Sequence, residues 1–371
     1  MKKVKLMTIL GTRPEIIKMS EIIKTCDKVF DQIIVHTGQN YDYELNQVFF
    51  DDLGLREPDY YLGVVGTDLG ETMGNVLAKS YALMSQIKPD AVIVLGDTNS
   101  CLCVISAKRL KIPIFHMEAG NRCFDENLPE EVNRRIVDTV SDVNLCYSEH
   151  ARRNLLSMAC PADRVFVVGS PMREVIEAHR DEFDCSEVLE SLGLKPKEYI
   201  LLSAHREENI DNESNFNAMV SAINLLAETY GKPVLYSVHP RSKKYIDQRG
   251  TKFHKLVRAH KPFGFIDYIQ LQRNAFCVVS DSGTLAEESA LLGFPAVSLR
   301  TSTERPEVVD RGVFTLGNLS GVNVLQAVSV ETGLFGGESS VPDYADAGCS
   351  IKVAKIIQGY VGYVNRCVWG K

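Results

Sequence analysis

Two stretches of this chain share one pattern, and that pattern narrows the fold more than any other feature. Near the start, the strand-like run Val4–Leu10 passes into Gly11-Thr12-Arg13-Pro14-Glu15, with Lys18 one turn further on. Late in the chain, Phe276–Ser280 passes into Asp281-Ser282-Gly283-Thr284 and then the helical stretch Leu285–Leu292. Each reads as a buried strand, a tight turn and a helix start. Such a junction offers backbone N–H groups and the positive end of a helix dipole to an anion. Two of them in one chain predict two α/β halves closing on one phosphorylated ligand, with carboxylates between.

The segments between them fit that plan. Strand and helix patterns alternate throughout, the signature of α/β layering with a mostly parallel sheet. Strands are expected at Val4–Leu10, Gln32–Thr37, Ala91–Leu95, Pro113–Met117, Val143–Cys146 and Val165–Val168. Helices are expected at Leu69–Leu83, Ser100–Leu110 and Ser148–Ser157. Ala91-Val92-Ile93-Val94-Leu95 is continuously apolar, as a strand covered on both faces requires. A second strand series follows at Tyr199–Ser203, Val234–Val238, Phe263–Ile266, Phe276–Ser280 and Ala296–Leu299. Between the series lies a charged, helix-prone connector, roughly Met172–Leu194. At 371 residues the chain is too long for most single cores. The division expected is an N-terminal domain over 1–170 and a C-terminal domain over 171–350. The helical stretch Ser350–Val364, and with it residues 351–371, is expected to pack back on the first domain.

Charge and composition remove several function classes. The net charge is -7 with no block of like charge, which argues against nucleic acid or an anionic membrane surface as partner. No apolar run reaches the roughly 18–20 residues that span a bilayer. The start, Met1-Lys2-Lys3-Val4, leads into a core strand and not a signal peptide, so a cytoplasmic protein is expected. Ten cysteines are scattered along the chain. Cys101 and Cys103 form the closest pair, at the start of an apolar helix, and no C-x-x-C or Cys/His cluster has zinc-site spacing. Reduced, buried thiols and no metal are expected.

In open α/β sheets ligands bind beyond the carboxyl ends of the strands, and those ends are unusually polar here. Arg13, Glu15 and Lys18 follow the first strand; His36, Gly38, Gln39 and Asn40 follow the second. Gly96-Asp97-Thr98-Asn99 and Glu118-Ala119-Gly120-Asn121-Arg122 follow the next two, and Asp125–Arg134 leads into a helix. In the second half come His205-Arg206-Glu207-Glu208-Asn209, His239-Pro240-Arg241, Asp281-Ser282-Gly283-Thr284, and Arg300 with Thr303-Glu304-Arg305-Pro306-Glu307. Each has a plainer explanation. Asp97 is a good helix N-cap. Glu130 and Glu131 suit any first helical turn. His205 reads equally as a structural histidine, and Ser282-Gly283-Thr284 as a tight-turn cap. Glu118 is harder to explain this way, because a carboxylate after buried residues is costly unless paired or in a cleft. Glu288 is expected about 7–8 Å along its helix, within reach of a ribose when phosphate sits at the helix start. No Walker pattern is present, and no G-x-G-x-x-G follows the first strand.

Taken together these residues resemble the UDP-N-acetylglucosamine 2-epimerase family. Eight motifs match in order: Gly11–Lys18, Gly96-Asp97-Thr98, His116-Met117-Glu118-Ala119-Gly120, Pro129–Arg134, Ala204–Asn209, Val238-His239-Pro240, Ser280–Gly283 and Thr303–Glu307. His36–Asn46, Thr98–Leu102, Glu118–Asp125 and Tyr363–Arg366 look closer to a capsule and O-antigen branch that forms UDP-N-acetyl-L-fucosamine. Arg300–Arg305 looks closer to the general UDP-N-acetylglucosamine enzymes. The resemblance implies two Rossmann-like domains of the glycosyltransferase-B type with an active site in the interdomain cleft. It implies a homodimer, a UDP-sugar substrate, and inversion at sugar C2 without nicotinamide, metal or pyridoxal. Arg13, Lys18, Asp97, Glu118, Glu130 and His205 match the family's catalytic set. His239, Ser282, Gly283, Glu288 and Arg305 match positions around the nucleotide and diphosphate, and Gln39, Arg134 and Thr284 join them as substrate-binding candidates.

The chemistry explains why such residues are needed. The C2 proton of a 2-acetamido sugar is not next to a carbonyl carbon, so its removal alone leaves an unstabilised carbanion. Eliminating UDP from C1 as C2 loses its proton gives a glycal instead, and re-addition with a proton on the opposite face completes the inversion. Cations and helix-end N–H groups would stabilise the leaving diphosphate, and carboxylates would move the proton. The expected product is UDP-N-acetyl-L-fucosamine from the corresponding L-talose sugar, with UDP-N-acetylglucosamine 2-epimerisation as the alternative. A glycosyltransferase of the same architecture, a hydrolysing epimerase and a non-catalytic nucleotide-sugar sensor are the rival readings.

Overall fold

The computed structural model describes residues 3–38, 47–337 and 341–371. Gln39, one of the substrate-binding candidates, lies outside them, as does most of the segment His36–Asn46. The described residues form two compact units, residues 1–178 with 342–371, and residues 179–341. The divisions therefore fall at 178/179 and 341/342, against 170/171 and 350/351 expected from the sequence. The charged connector folds as three short helices, Met172–Ala178, Arg180–Cys185 and Val188–Ser191, and the first of them stays with the first unit.

The first unit is built on a parallel sheet of β1 (Lys5–Leu10), β2 (Asp31–His36), β3 (Tyr60–Tyr61), β4 (Ala91–Leu95), β5 (Ile114–Met117), β6 (Val143–Cys146) and β7 (Val165–Val167). Their order is β3-β2-β1-β4-β5-β6-β7, so the winding direction reverses between β1 and β4. Ligands of doubly wound sheets bind at that reversal, beyond the strand ends. Leu6, Met7, Ile9, Val92, Ile93, Val94, Ile114 and Phe115 are all buried, which covers the central strands on both faces. The helix Arg13–Val29 buries Ile16, Met19, Ile22, Ile23 and Cys26 at helical spacing. The C-terminal helix Cys349–Cys367 packs against it through its own buried stripe, Val353, Ile357, Val361 and Val364.

The second unit repeats the arrangement. Its parallel strands are β8 (Ile200–Ser203), β9 (Val234–Ser237), β10 (Val257–His260), β11 (Cys277–Ser280), β12 (Ala296–Ser298) and β13 (Thr315–Leu316). The order β10-β9-β8-β11-β12-β13 reverses between β8 and β11. Ile200, Leu202, Tyr236, Val279 and Val297 share a core with Phe216, Met219, Ile223 and Leu226 of the helix Glu213–Tyr230.

Three sequence expectations are corrected here. Phe263–Ile266 is not a strand: Phe265 begins a helix that runs to Asn274, and the strand in this region is β10. Val257-Arg258-Ala259-His260 sits at the sheet edge and is only partly covered, so it lacks the apolar run that marked the others. The apolar helix expected over Ser100–Leu110 opens instead as a 3-10 turn, Asn99–Cys103, before an α-helix from Val104 to Arg109. Cys101 and Cys103 are buried there, but Cys185 and Cys367 are exposed, so the cysteines are not uniformly buried; all ten are free. Among the described residues, no helix is long and apolar enough to cross a membrane.

Ile93 is fully buried on a central strand. Ile93→Ala is expected to cost about 2–5 kcal/mol, the range for deleting buried aliphatic groups from a close-packed core. A urea titration followed by far-UV circular dichroism would show the midpoint fall without a change in slope.

Candidate active site

In the first unit the polar residues after β1, β4 and β5 converge with the helix Pro129–Val140. Pro129 at the first helical position presets that helix start. One turn later Arg134 points inward and is 2% exposed. Its Nη1 donates to the Glu118 carbonyl at 2.6 Å, and its Nη2 meets Glu118 Oε1 at 3.3 Å. The same Nη2 pairs with Asp97 Oδ2. Lys18 Nζ lies 2.7 Å from Glu118 Oε2 and 5.6 Å from the centre of the Tyr147 ring. Asp97, Glu118, Lys18 and Arg134 thus form one contiguous cluster of two acids and two cations. Buried charges of this kind persist only when paired and hydrogen-bonded.

Glu118 carries a second mark. Its φ is +60°, a left-handed conformation that costs a side-chain-bearing residue of order 1–3 kcal/mol. Gly120, two residues on, has φ +82°, and a Cβ there would come within 2.3 Å of the Ala151 carbonyl oxygen, so only glycine fits. This double turn bends the chain sharply after β5 and aims the Glu118 carboxylate back at Lys18 and Arg134.

Asp97 is not the N-cap its position suggested; Thr98 holds that place before the turn Asn99–Cys103. The Asp97 carbonyl accepts from Asn133 Nδ2 at 3.0 Å, which ties the loop to the helix that carries Arg134. Glu130 stands four residues before Arg134 on that helix and is half-buried. Its neighbour Glu131 is turned inside and accepts from Arg135 Nε at 2.9 Å and the Cys123 N–H at 3.1 Å. Arg13, at the start of its helix, lies over the Phe49 ring at 5.5 Å.

Glu15, one of the polar residues after the first strand but without a role assigned from sequence, takes a central place in the structure. It is 1% exposed. Oε2 accepts from the Gly11 N–H at 3.0 Å, the Thr12 N–H at 2.7 Å and the Thr12 hydroxyl at 2.8 Å. Oε1 accepts from the Thr98 hydroxyl at 2.9 Å, joining the first turn to the loop that carries Asp97. Burial pushes the Glu15 carboxyl up to about 7, and these hydrogen bonds only partly offset the loss of solvation. The acidic third helical residue after Thr12 was the available signal.

In the second unit the centre is Asp281, directly after β11 and fully buried. It accepts from the His205 N–H at 2.9 Å, the Arg206 N–H at 3.0 Å and Asn209 Nδ2 at 2.9 Å, and so organises the loop after β8. His205 Nδ1 lies 3.2 Å from Asp281 Oδ1. The His205 and His239 rings sit side by side, their centroids 5.7 Å apart. His239 caps the helix Pro240–Gln248, its Nδ1 accepting from the Arg241 N–H at 3.3 Å.

The Ser282-Gly283-Thr284 turn leads into the helix Leu285–Leu292, but its N–H groups are not all open. Ser282 N–H donates to the Ser280 hydroxyl at 3.1 Å, and Thr284 N–H to the Ser282 hydroxyl at 3.4 Å. A bound anion would replace these hydroxyl oxygens. Beside Gly283, a Cβ would lie 3.8 Å from Arg206 Nη2. Arg206, which belongs to the polar set after β8 but not to the catalytic or substrate-binding candidates, is therefore a guanidinium next to the turn. Arg305 is 2% exposed and donates to Glu287 Oε2 at 2.8 Å. Glu288 falls in the first helical turn, not 7–8 Å along the helix, and its Oε2 accepts from Gln272 Nε2 at 2.6 Å. Among the described residues, no three His, Cys, Asp or Glu side chains are grouped so as to hold a metal ion.

Two parallel α/β units of this topology, each with a polar set at its reversal point, make a fold of the glycosyltransferase-B type. Residues 24–358 match the profile described as UDP-N-acetylglucosamine 2-epimerase. A UDP-N-acetylglucosamine 2-epimerase from Methanocaldococcus jannaschii is 36% identical over 338 residues, 88% of this chain and 92% of that protein. The solved structure of a UDP-N-acetylglucosamine 2-epimerase from Rickettsia bellii superposes with a TM-score of 0.92 at 43% identity, covering 100% of both chains. The M. jannaschii enzyme in complex with UDP-GlcNAc and UDP gives a TM-score of 0.90 at 32% identity, over 96% of this chain and 100% of that one. The chain belongs to the UDP-N-acetylglucosamine 2-epimerase family, a family of isomerases.

The raised Glu15 carboxyl sets a pH dependence. Its folded-state value of about 7 lies above the ordinary 4.5, so between those values the folded state holds the proton more tightly than the unfolded chain. That contribution to stability is full below pH 4.5 and is lost as pH rises through 7. Glu15→Gln should flatten the decline across this window in urea midpoints measured at successive pH values. Identical pH profiles for both proteins would contradict the assignment.

Proposed function

We propose that this chain inverts C2 of a UDP-N-acetylhexosamine without a cofactor, interconverting UDP-N-acetylglucosamine and its C2 epimer, and returns the nucleotide to the sugar without hydrolysis. The observation that carries the reading is the Asp97–Arg134–Glu118–Lys18 cluster, which gathers carboxylates and cations at the reversal point of one sheet. In this reading the second unit holds the uridine diphosphate through the Ser282-Gly283-Thr284 turn, His239, Glu288 and Arg305. The first unit acts on the same molecule at its sugar. One carboxylate among Asp97, Glu118 and Glu130 takes the C2 proton as the C1–O bond to UDP breaks, and a C1=C2 double bond forms. Arg13, Lys18 and His205 offset the charge that develops on the leaving diphosphate. UDP then returns to C1 while a proton enters C2 from the opposite face.

A second substrate has a specific observation behind it. Thr98–Leu102, Glu118–Asp125 and Tyr363–Arg366 resemble the branch that forms UDP-N-acetyl-L-fucosamine for capsule or O-antigen. A cytoplasmic homodimer completes the proposal. The helix Leu69–Ile87 suits such an assembly, because it buries only Val76, Ser80 and Met84 and leaves Gly70, Gly74, Ala78, Tyr81 and Ala82 exposed along one side.

Asp97→Asn, Glu118→Gln and Glu130→Gln are expected to lower kcat by at least about 100-fold, the scale of lost general acid–base catalysis, with the circular dichroism spectrum at low temperature still that of the folded protein although the first two lower its melting temperature. Near-normal turnover in all three would remove this site. In heavy water, UDP-N-acetylglucosamine supplied alone should yield an epimer carrying deuterium at C2, read by NMR. An unlabelled C2 would exclude proton transfer, and free UDP would indicate hydrolysis. Turnover only with an added acceptor would mean a transferase. Conversion of the UDP-6-deoxy-L-hexosamine in place of UDP-N-acetylglucosamine would select the second substrate.

A further inference from the structure

Behind the carboxylate cluster lies a buried polar pair that the proposed chemistry does not use. His116, on β5, is fully buried, and its Nε2 lies 2.8 Å from the carbonyl oxygen of Gly96. A carbonyl oxygen only accepts, so Nε2 is the donor. Gly96 is the residue immediately before Asp97. The other ring nitrogen, Nδ1, lies 2.9 Å from Asp138 Oδ1.

Asp138 closes the connection. Both of its oxygens accept from the Gly120 N–H, at 3.1 and 3.2 Å, and Gly120 stands two residues after Glu118. Arg122 Nη2 also donates to Asp138 Oδ2, at 2.6 Å. One imidazole–carboxylate pair therefore grips the backbone beside both acids, at Gly96 for Asp97 and at Gly120 for Glu118.

The location of Asp138 argues that this is more than core filling. It lies near the C-terminal end of the helix Pro129–Val140, where the helix dipole opposes an acid. It is also 1% exposed, which adds a desolvation cost. Burial pushes its carboxyl up, yet the His116 ring and Arg122 outweigh that and hold it below the usual carboxylate range. What these costs sustain is a local need: the left-handed backbone at Glu118 and Gly120 must be held from outside. Arg134 grips the Glu118 carbonyl from one side, and Asp138 grips the Gly120 N–H from the other.

We propose that His116 and Asp138 are positioning residues that fix the backbone beside Asp97 and Glu118, holding the two carboxylates in register for one substrate. The inference rests on the epimerase reading for its kinetic consequence. A displacement of about 1 Å in such a group costs on the order of 100-fold in rate. The nucleotide contacts of the second unit are not involved, so substrate binding should be little altered.

The test uses His116→Phe, which keeps the ring volume but removes both nitrogens, and Asp138→Asn, which keeps the shape but removes the charge. Each is compared with wild type by steady-state kinetics on UDP-N-acetylglucosamine and by peptide-resolved hydrogen exchange. Expected are a kcat lowered about 10- to 100-fold, KM within about twofold, and exchange about tenfold faster confined to segments 96–99 and 117–122. Unchanged exchange in those segments overturns the proposal in either variant that folds. So does a kcat within about twofold of wild type alongside a fall in melting temperature, the result of a merely structural pair. Wild-type protein that fails to invert C2 overturns the epimerase reading instead, and the exchange comparison still decides whether this pair holds the two segments.

Discussion

The ion cluster of Lys18, Glu118, Arg134 and Asp97 is the interaction on which the rest of the first unit depends. Removing one partner from a buried pair costs about 3–5 kcal/mol, because the other is left charged and dry. The cluster therefore constrains every element that supplies it. Lys18 requires the helix Arg13–Val29 to lie along the sheet at a set height, and the C-terminal helix covers that helix from outside. Arg134 requires the helix Pro129–Val140 to direct a guanidinium inward between two loops. Glu118 requires a backbone turn that its own side chain disfavours.

The two parallel sheets explain why polar groups collect where they do. Both reverse their winding between the first and fourth strands of their unit, β1 and β4 in one, β8 and β11 in the other. At a reversal, the loops leaving adjacent strands diverge to opposite faces and open a crevice. In the first unit that crevice is bordered by the Gly11–Thr12 turn, held by Glu15, and the Asp97–Thr98 loop. In the second it is bordered by the His205–Arg206 loop and the Ser282–Gly283 turn, both tied to Asp281. A single buried carboxylate joins the two sides of each crevice, Glu15 in one and Asp281 in the other. Both act chiefly by accepting from backbone N–H groups and short side chains, which fixes loops more firmly than long, flexible pairs would.

How much of this was legible beforehand differs by residue, for physical reasons. Strands buried on both faces announce themselves as apolar runs, so β1, β4, β6 and β11 were found within a residue or so of their ends. The edge strand β10 carries Arg258 and His260 and offers no such run, whereas Phe263-Gly264-Phe265-Ile266 is apolar but leads into a helix. Gly283 and Glu118 were legible as site candidates because local chemistry made their surroundings costly. Asp138 and Glu131 were not singled out, although with Arg134 they recur at spacings of three and four and form a buried polar stripe on one helix. An acid on a helix is usually solvated, and only its packing environment showed otherwise.

The sequence by itself determined the alternation of strands and helices, the two strand–turn–helix junctions, and the supply of acids and cations at strand ends. These follow from periodicity and local sterics, which act over a few residues. Only the tertiary structure decided which of those polar groups meet. Lys18 and Glu118 are 100 residues apart along the chain, and Arg134 reaches Asp97 across 37. Their pairing follows from strand order and from the left-handed turn at Glu118. Both are set by packing free energy summed over a whole unit, which no local pattern of residues records.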